Sequence, residues 1–361
     1  VMAPAWVAMD RKGKAITRVI THQDRRSAAV AVELERRVGE RRFLQIAGNR
    51  PFPGGISCST AAWFAEHEPG VIRRADLIGH LNTFLHRQMT GERVIDRSNA
   101  SFTGLYETTK LGGWNEMLCE AAGIGEGKLP EILESDQVGG NVTSDAARKF
   151  GILAGTPVMA GWVDTTGAMV LGGIKAGRLL NVSGSTDVLA LCTDRARPHR
   201  ELLTRALGVG KWWLSVGTIA AAGSALQWVR EQLFADWSED QFYRLVRKGT
   251  GAGGCRFEPY LAGDRTSMEQ KRGALENLTL ATTREEMLGA VINALAKLSA
   301  RRLRLLATRG VRISHRVVTS GGTARALREV LQRDWPGTWS VHYEDEASLR
   351  GLSMLAPRER G

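Results

Sequence analysis

Three stretches of the sequence put glycine, a small hydroxyl residue or a carboxylate directly after an apolar run that reads as a strand. They are Pro157-Val-Met-Ala-Gly-Trp-Val-Asp164, Leu179-Leu-Asn-Val-Ser-Gly-Ser-Thr186 and Val317-Val-Thr-Ser-Gly-Gly-Thr323. At such strand ends the backbone can approach a phosphate closely, and a following helix N-terminus favours negative charge. A carboxylate beside phosphate-seeking loops suits phosphoryl transfer, in which a protein positions donor and acceptor, balances charge and takes one proton from the attacking alcohol. Asp164 is the residue placed to take that proton, since an aspartate is ionised at neutral pH. Followed by Thr165 and Thr166, it equally reads as a helix N-cap, so both roles stand open at this point.

Other chemistries fail on spacing. Gly123-Ile-Gly-Glu-Gly-Lys-Leu129 has Leu where a P-loop needs Ser or Thr for magnesium. Gly251-Ala-Gly-Gly-Cys-Arg256 has Arg where a dinucleotide fingerprint packs its third glycine. Gly55-Ile-Ser-Cys-Ser59 resembles a hydrolase elbow but ends in Ser. The seven histidines form no i, i+4 pair, and the four cysteines lie far apart, so no protein-built metal site and no disulfide framework is expected.

The elements that must carry these residues alternate between strand-like and helix-like patterns, which predicts an α/β architecture. A helix is expected over residues 75–90, with Leu77, Ile78, Leu81, Phe84 and Leu85 on one face and Gly91 as the stop. Another short helix follows Thr143 and ends at Gly151. From Thr283 a capping box with Glu286 opens a long apolar stripe closed by Gly310. Leu179–Cys192 reads as a hairpin tipped by Gly184-Ser185-Thr186, while the first and third stretches run on into helices at 165–171 and 324–331. Gly172–Gly177 breaks the pattern, predicting two domains, 1–172 and 173–361, facing a cleft.

The chain has 361 residues, 43% hydrophobic and 24% charged, a composition that folds rather than remains disordered. Its net charge of +11 fits an anionic partner such as a nucleotide or sugar phosphate. The basic residues come as scattered pairs without interleaved aromatics, which reads as solvated helix faces, so no nucleic-acid partner is expected. The weakly polar run 154–174 contains Asp164 and three threonines and is unsuited to a bilayer, so no membrane partner is expected. Cysteine usage and the lack of a signal peptide point to a reducing cytoplasm. The sequence opens on Val1, inside an apparent strand, and reads as amino-terminally incomplete.

An ordered set of motifs then carries a resemblance: Trp63-Phe-Ala-Glu-His-Glu-Pro69, Ala75-Asp76, Asp96-Arg-Ser-Asn-Ala-Ser101, Gly104-Leu-Tyr106, Trp114-Asn-Glu-Met-Leu118, Gly155-Thr-Pro-Val158, Gly161-Trp-Val-Asp164, Pro259-Tyr-Leu-Ala-Gly-Asp-Arg265 and Ser320-Gly-Gly322. From about Ala5 to Ala356 the sequence resembles the FGGY carbohydrate kinases, with a xylulokinase-like flavour. The resemblance implies a two-domain actin-like ATPase (ribonuclease H-like) α/β fold, with a sugar-binding, catalytic first domain and a nucleotide-binding second domain. It implies ATP and Mg²⁺, and a ketose or polyol as acceptor, foremost D-xylulose giving D-xylulose 5-phosphate. Asp164 then matches the base, Asp24, Arg26 and Thr165 the sugar side, Gly184, Ser185 and Thr186 a phosphate loop, and Gly321 and Gly322 the adenosine segment. Asp24 and Arg26 read equally as a structural ion pair, and Arg265 as structural. The sequence departs from the pattern in starting after the family's first phosphate hairpin, in Ala3-Pro4 where a His-bearing turn is expected, in Thr165 for Asn, and in Thr60 for Lys. A sugar- or nucleotide-binding module of impaired catalysis is the alternative, and a homodimer is compatible with either.

Overall fold

The computed structural model describes residues 3–321 and 325–354. In chain order the elements are β1 (Ala5–Met9), β2 (Ile20–Thr21), α1 (Ala28–Val38), α2 (Glu40–Ile46), α3 (Cys58–His67), α4 (Pro69–Arg74), β3 (Leu77–His80), α5 (Leu81–Thr90), β4 (Val94–Asp96), α6 (Arg97–Ala100), α7 (Glu116–Ala121), β5 (Glu131–Leu133), β6 (Val138–Asn141), α8 (Ser144–Phe150), β7 (Pro157–Met159) and α9 (Asp164–Leu171). They continue as β8 (Leu179–Ser183), β9 (Asp187–Thr193), β10 (Leu203–Ala206), β11 (Trp213–Ile219), α10 (Gly223–Leu233), α11 (Glu239–Lys248), β12 (Arg256–Glu258), β13 (Ala274–Glu276), α12 (Arg284–Ala307), β14 (Arg316–Ser320), α13 (Arg325–Gln332), β15 (Ser340–Tyr343) and α14 (Ala347–Leu352). The chain divides into unit 1, Val1–Lys175 with Cys192–Ser215 and Ser348–Gly361, and unit 2, Ala176–Leu191 with Val216–Ala347.

Unit 1 holds a three-stranded sheet of order β2-β1-β3 and two small pairs, β4-β5 and β6-β7. Trp6 of β1 stacks on Phe64 of α3 at 4.6 Å, and Val7, Met9 and Leu77 form a buried cluster beneath α5. The single helix expected over 75–90 is corrected: Leu77–His80 is a strand paired antiparallel to β1, and the helix starts at Leu81. All four residues of that strand are buried, so they present no alternating face, and a short apolar run reads the same in either element. The other local signals hold. Thr143 caps α8 through Ala146 N–H, and Gly151 ends it at φ +68°.

The largest sheet has six strands in the order β10-β11-β9-β8-β14-β15, of which β8, β14 and β15 lie wholly in unit 2. β8 runs antiparallel to β9 and parallel to β14. The register pairs Ser183 with Asp187 and leaves Gly184-Ser185-Thr186 as a three-residue tip, as the sequence predicts. The core of this unit is α12, whose Leu288, Val291 and Leu295 pack on Phe234, Phe242 and Leu327. Each such side chain contributes about 1.5–3 kcal/mol on burial. The Thr283–Glu286 capping box forms at the start of α12, while the helix stops at Ala307, before Gly310. The leading residue expected for the 324–331 helix lies outside the described residues, and α13 runs from Arg325.

Candidate functional site

Asp164 is the first residue of α9, reached from β7 through a turn in which Gly161 adopts φ +79°. Val163 occupies the cap position and no side chain caps the helix, so capping does not account for Asp164. Its carboxylate is exposed, and Oδ1 accepts a hydrogen bond from the adjacent Thr165 N–H at 2.6 Å. Asp164 also lines a cavity of about 310 Å³ within unit 1, with Leu85 and Met89 of α5, Met159, Trp162 and Leu352 among its walls. A group exposed at a cavity and backed by a rigid helix start can meet a ligand without rearranging the backbone.

The residues flanking Asp164 are held from two sides. On one, Val163 N–H donates to Ser98 Oγ at 3.1 Å, and Ser98 Oγ donates to Asp96 Oδ1. Asp96 is fully buried and accepts further from Ser98 N–H, Asn99 N–H and the side-chain amides of Asn82 and Asn99, at 2.6–3.0 Å. Burial pushes its carboxyl above the usual range against the pull of these donors. On the other side, Arg205 of β10 donates to Thr165 Oγ1, and Thr166 Oγ1 donates to Leu207 O at 2.8 Å. Arg205 is only 2% exposed, and its guanidinium lies 5.4 Å from the Phe102 ring centroid.

Thr165, expected on the sugar side, is buried with its hydroxyl engaged by Arg205. Asp24 and Arg26 form a local ion pair at 2.9 Å, with Asp24 Oδ1 also accepting Arg26 N–H, and the guanidinium sits 5.0 Å over Trp63. Neither Arg205 nor the Asp96 network was singled out from sequence. The Asp96-Arg-Ser-Asn-Ala-Ser motif was the available signal, since an Asx-type cap binds the N–H groups two and three residues on. Ser57, in the discarded elbow, lies 2.8 Å from His80 Nε2 with both residues buried, which makes the pair part of the core.

In unit 2 the hairpin tip meets the start of α10. Gly184 O accepts from Gly223 N–H, and Ser185 O accepts from Ala222 N–H and from Ser224 N–H and Oγ, at 2.9–3.2 Å. A Cβ on Gly223 would stand 2.5 Å from Gly184 O, which explains the glycine. Ser185 is exposed at the tip. Gly321, at φ +117°, crosses the backbone of Ser183 so closely that any Cβ would overlap it. The structure thus brings Gly184, Ser185, Thr186 and Gly321 together, whereas Gly322 lies outside the described residues. Below the tip, Asn181 Nδ2 and Ser183 Oγ donate to the buried Asp187 Oδ1 at 2.7 and 2.6 Å. Burial raises the Asp187 carboxyl to about 6.

Among the described residues no group of three or more His, Cys, Asp or Glu could hold a metal ion. The Mg²⁺ that the resemblance implies needs no such cluster, because beside a nucleotide it takes its ligands mostly from phosphate and water with one or two carboxylates. No described helix is long and apolar enough to cross a membrane.

Residues 3–171 match the N-terminal domain, and residues 179–332 the C-terminal domain, of the FGGY family of carbohydrate kinases. The sequence is 26% identical to the xylulose kinase of Bacillus subtilis over 97% of this chain and 71% of that protein. It is 29% identical to the glycerol kinase of Thermococcus gammatolerans over 81% of this chain and 60% of that one. The crystal structure of xylulose kinase from Rhodospirillum rubrum superposes with a TM-score of 0.82 at 25% identity, covering 97% of this chain and 72% of its own.

Proposed function

Because the chain belongs to the FGGY family of carbohydrate kinases, we propose that it transfers the γ-phosphate of ATP to a hydroxyl of a ketose or polyol, with Asp164 as the base. The observation that carries this reading is the exposed Asp164 carboxylate at the start of α9, beside a cavity and flanked by braced residues. As the acceptor oxygen bonds to the γ-phosphorus, its proton passes to Asp164, the bond to the bridging oxygen breaks, and ADP leaves. On this reading unit 1 holds the sugar and unit 2 the nucleotide. On the same reading the exposed tip at Ser185 meets the phosphates, and Gly321, with no side chain, lets the adenosine lie against the backbone.

D-xylulose is the acceptor we favour, on the similarity to xylulose kinase across 97% of the chain; glycerol ranks next on the similarity to glycerol kinase. A cytoplasmic setting fits these substrates. The test is ADP release by the full-length protein with D-xylulose, other ketoses, ribitol and glycerol. Asp164→Asn is expected to lower acceptor-dependent turnover by about 10²–10⁴-fold while leaving nucleotide binding by calorimetry intact. Acceptor-independent ADP release that ignores this substitution would overturn the reading.

A further inference from the structure

Arg205 stands on β10, forty residues from the side chain it touches, yet its guanidinium ends on the hydroxyl next to the candidate base. Burying a guanidinium to 2% exposure costs several kcal/mol unless fixed hydrogen bonds compensate it, so its placement asks for a reason. Thr165 lies in the first turn of α9, where it has no helical carbonyl four residues back for its hydroxyl to bond, and that hydroxyl instead accepts from Arg205. Ser98 holds the residue before Asp164, and Leu207 O holds the second residue after it. Positions 163, 165 and 166 are therefore tied to surrounding structure, while the Asp164 carboxylate remains exposed.

We propose that Arg205 is a positioning residue: acting through Thr165, it sets the direction in which Asp164 presents its carboxylate to the acceptor hydroxyl. The inference rests on the reading of Asp164 as the base. A planar guanidinium with fixed donor directions is suited to this, because it resists rotation where an ammonium would not. Proton transfer depends steeply on the approach of base to hydroxyl, so a displacement of about 1 Å lowers the rate without changing how ATP binds.

The test is a double-mutant cycle on the full-length protein, reading acceptor-dependent ADP release alongside melting temperature. Arg205→Met and Thr165→Val are each expected to lower kcat about tenfold, with KM for ATP within about twofold. The double variant is expected to be no slower than the slower single one, because both changes remove one interaction. Thr165→Ser, which keeps the hydroxyl, is expected to restore kcat to within about threefold, and Arg205→Lys to fall between wild type and Met. Unchanged kcat in Arg205→Met, losses that multiply in the double variant, or equal impairment of Thr165→Ser and Thr165→Val would each overturn the proposal. Should Arg205→Met not fold, the Thr165 pair decides alone. The underlying reading fails separately, if Asp164→Asn keeps its turnover or the unsubstituted protein shows no acceptor-dependent ADP release.

Discussion

Asp264 is the residue that gives the Pro259–Arg265 motif its physical role in unit 2. Its carboxylate lies 3.3 Å from Arg302 Nη2 and 3.2 Å from Lys271 Nζ, and accepts from Thr266 N–H and Oγ1 at 3.0 Å. Burial alone would raise its carboxyl, but the Arg302 and Lys271 charges hold it below the usual carboxylate range. Arg302 is itself buried on α12, so the pair joins the motif loop to the core helix. Arg302→Met is expected to lower unfolding free energy by about 3–5 kcal/mol, because it strips a buried carboxylate of its main countercharge. Denaturant titration checks this, and a loss under about 1 kcal/mol would show that Lys271 and Thr266 suffice. Arg302 stands 38 residues from Asp264, too far for the spacing of the motif to reveal the pair.

Where α14 crosses α9, two glycines replace side chains at the contact. A Cβ on Gly351 would overlap the backbone of Gly167, and a Cβ on Gly167 would overlap Ser348 O. With nothing flexible to yield, the helices must move apart to accept a methyl group. Gly351→Ala is therefore expected to destabilise unit 1 by about 1–3 kcal/mol and to displace the helix that starts at Asp164. A melting temperature unchanged from wild type would contradict this packing. Elements differ in how legible they were. The Thr283 capping box, the Thr143 cap and the Gly184 hairpin involve residues within a few positions of each other, so their signals are local. The strand Leu77–His80 was hidden because full burial erases the alternation that distinguishes strand from helix.

At the scale of the molecule, the two units carry buried titrating groups of opposite effect. Burial lowers His80 of unit 1 from its ordinary 6.5 to about 4, so between those values the unfolded chain takes a proton that the folded state refuses. Its effect is a loss of stability as pH falls from about 6.5 to about 4. Asp187 of unit 2 is raised from 3.8 to about 6, so the folded state keeps a proton that the unfolded chain releases, and stability falls as pH rises through that window. Melting wild type, His80→Gln and Asp187→Asn from pH 4.5 to 7 isolates each effect. The wild-type-minus-variant differences are expected to slope in opposite directions, and parallel curves would refute the assignment. What sequence alone determined is the family pattern and several features written in near neighbours: the Thr143 and Thr283 caps, the hairpin tip, and a carboxylate at a strand-to-helix junction. Tertiary structure decided what holds that carboxylate in place. Ser98 meets Val163 across sixty-five residues and Arg205 meets Thr165 across forty. Such pairings depend on the path of the folded chain, and no period or composition of either segment records its partner.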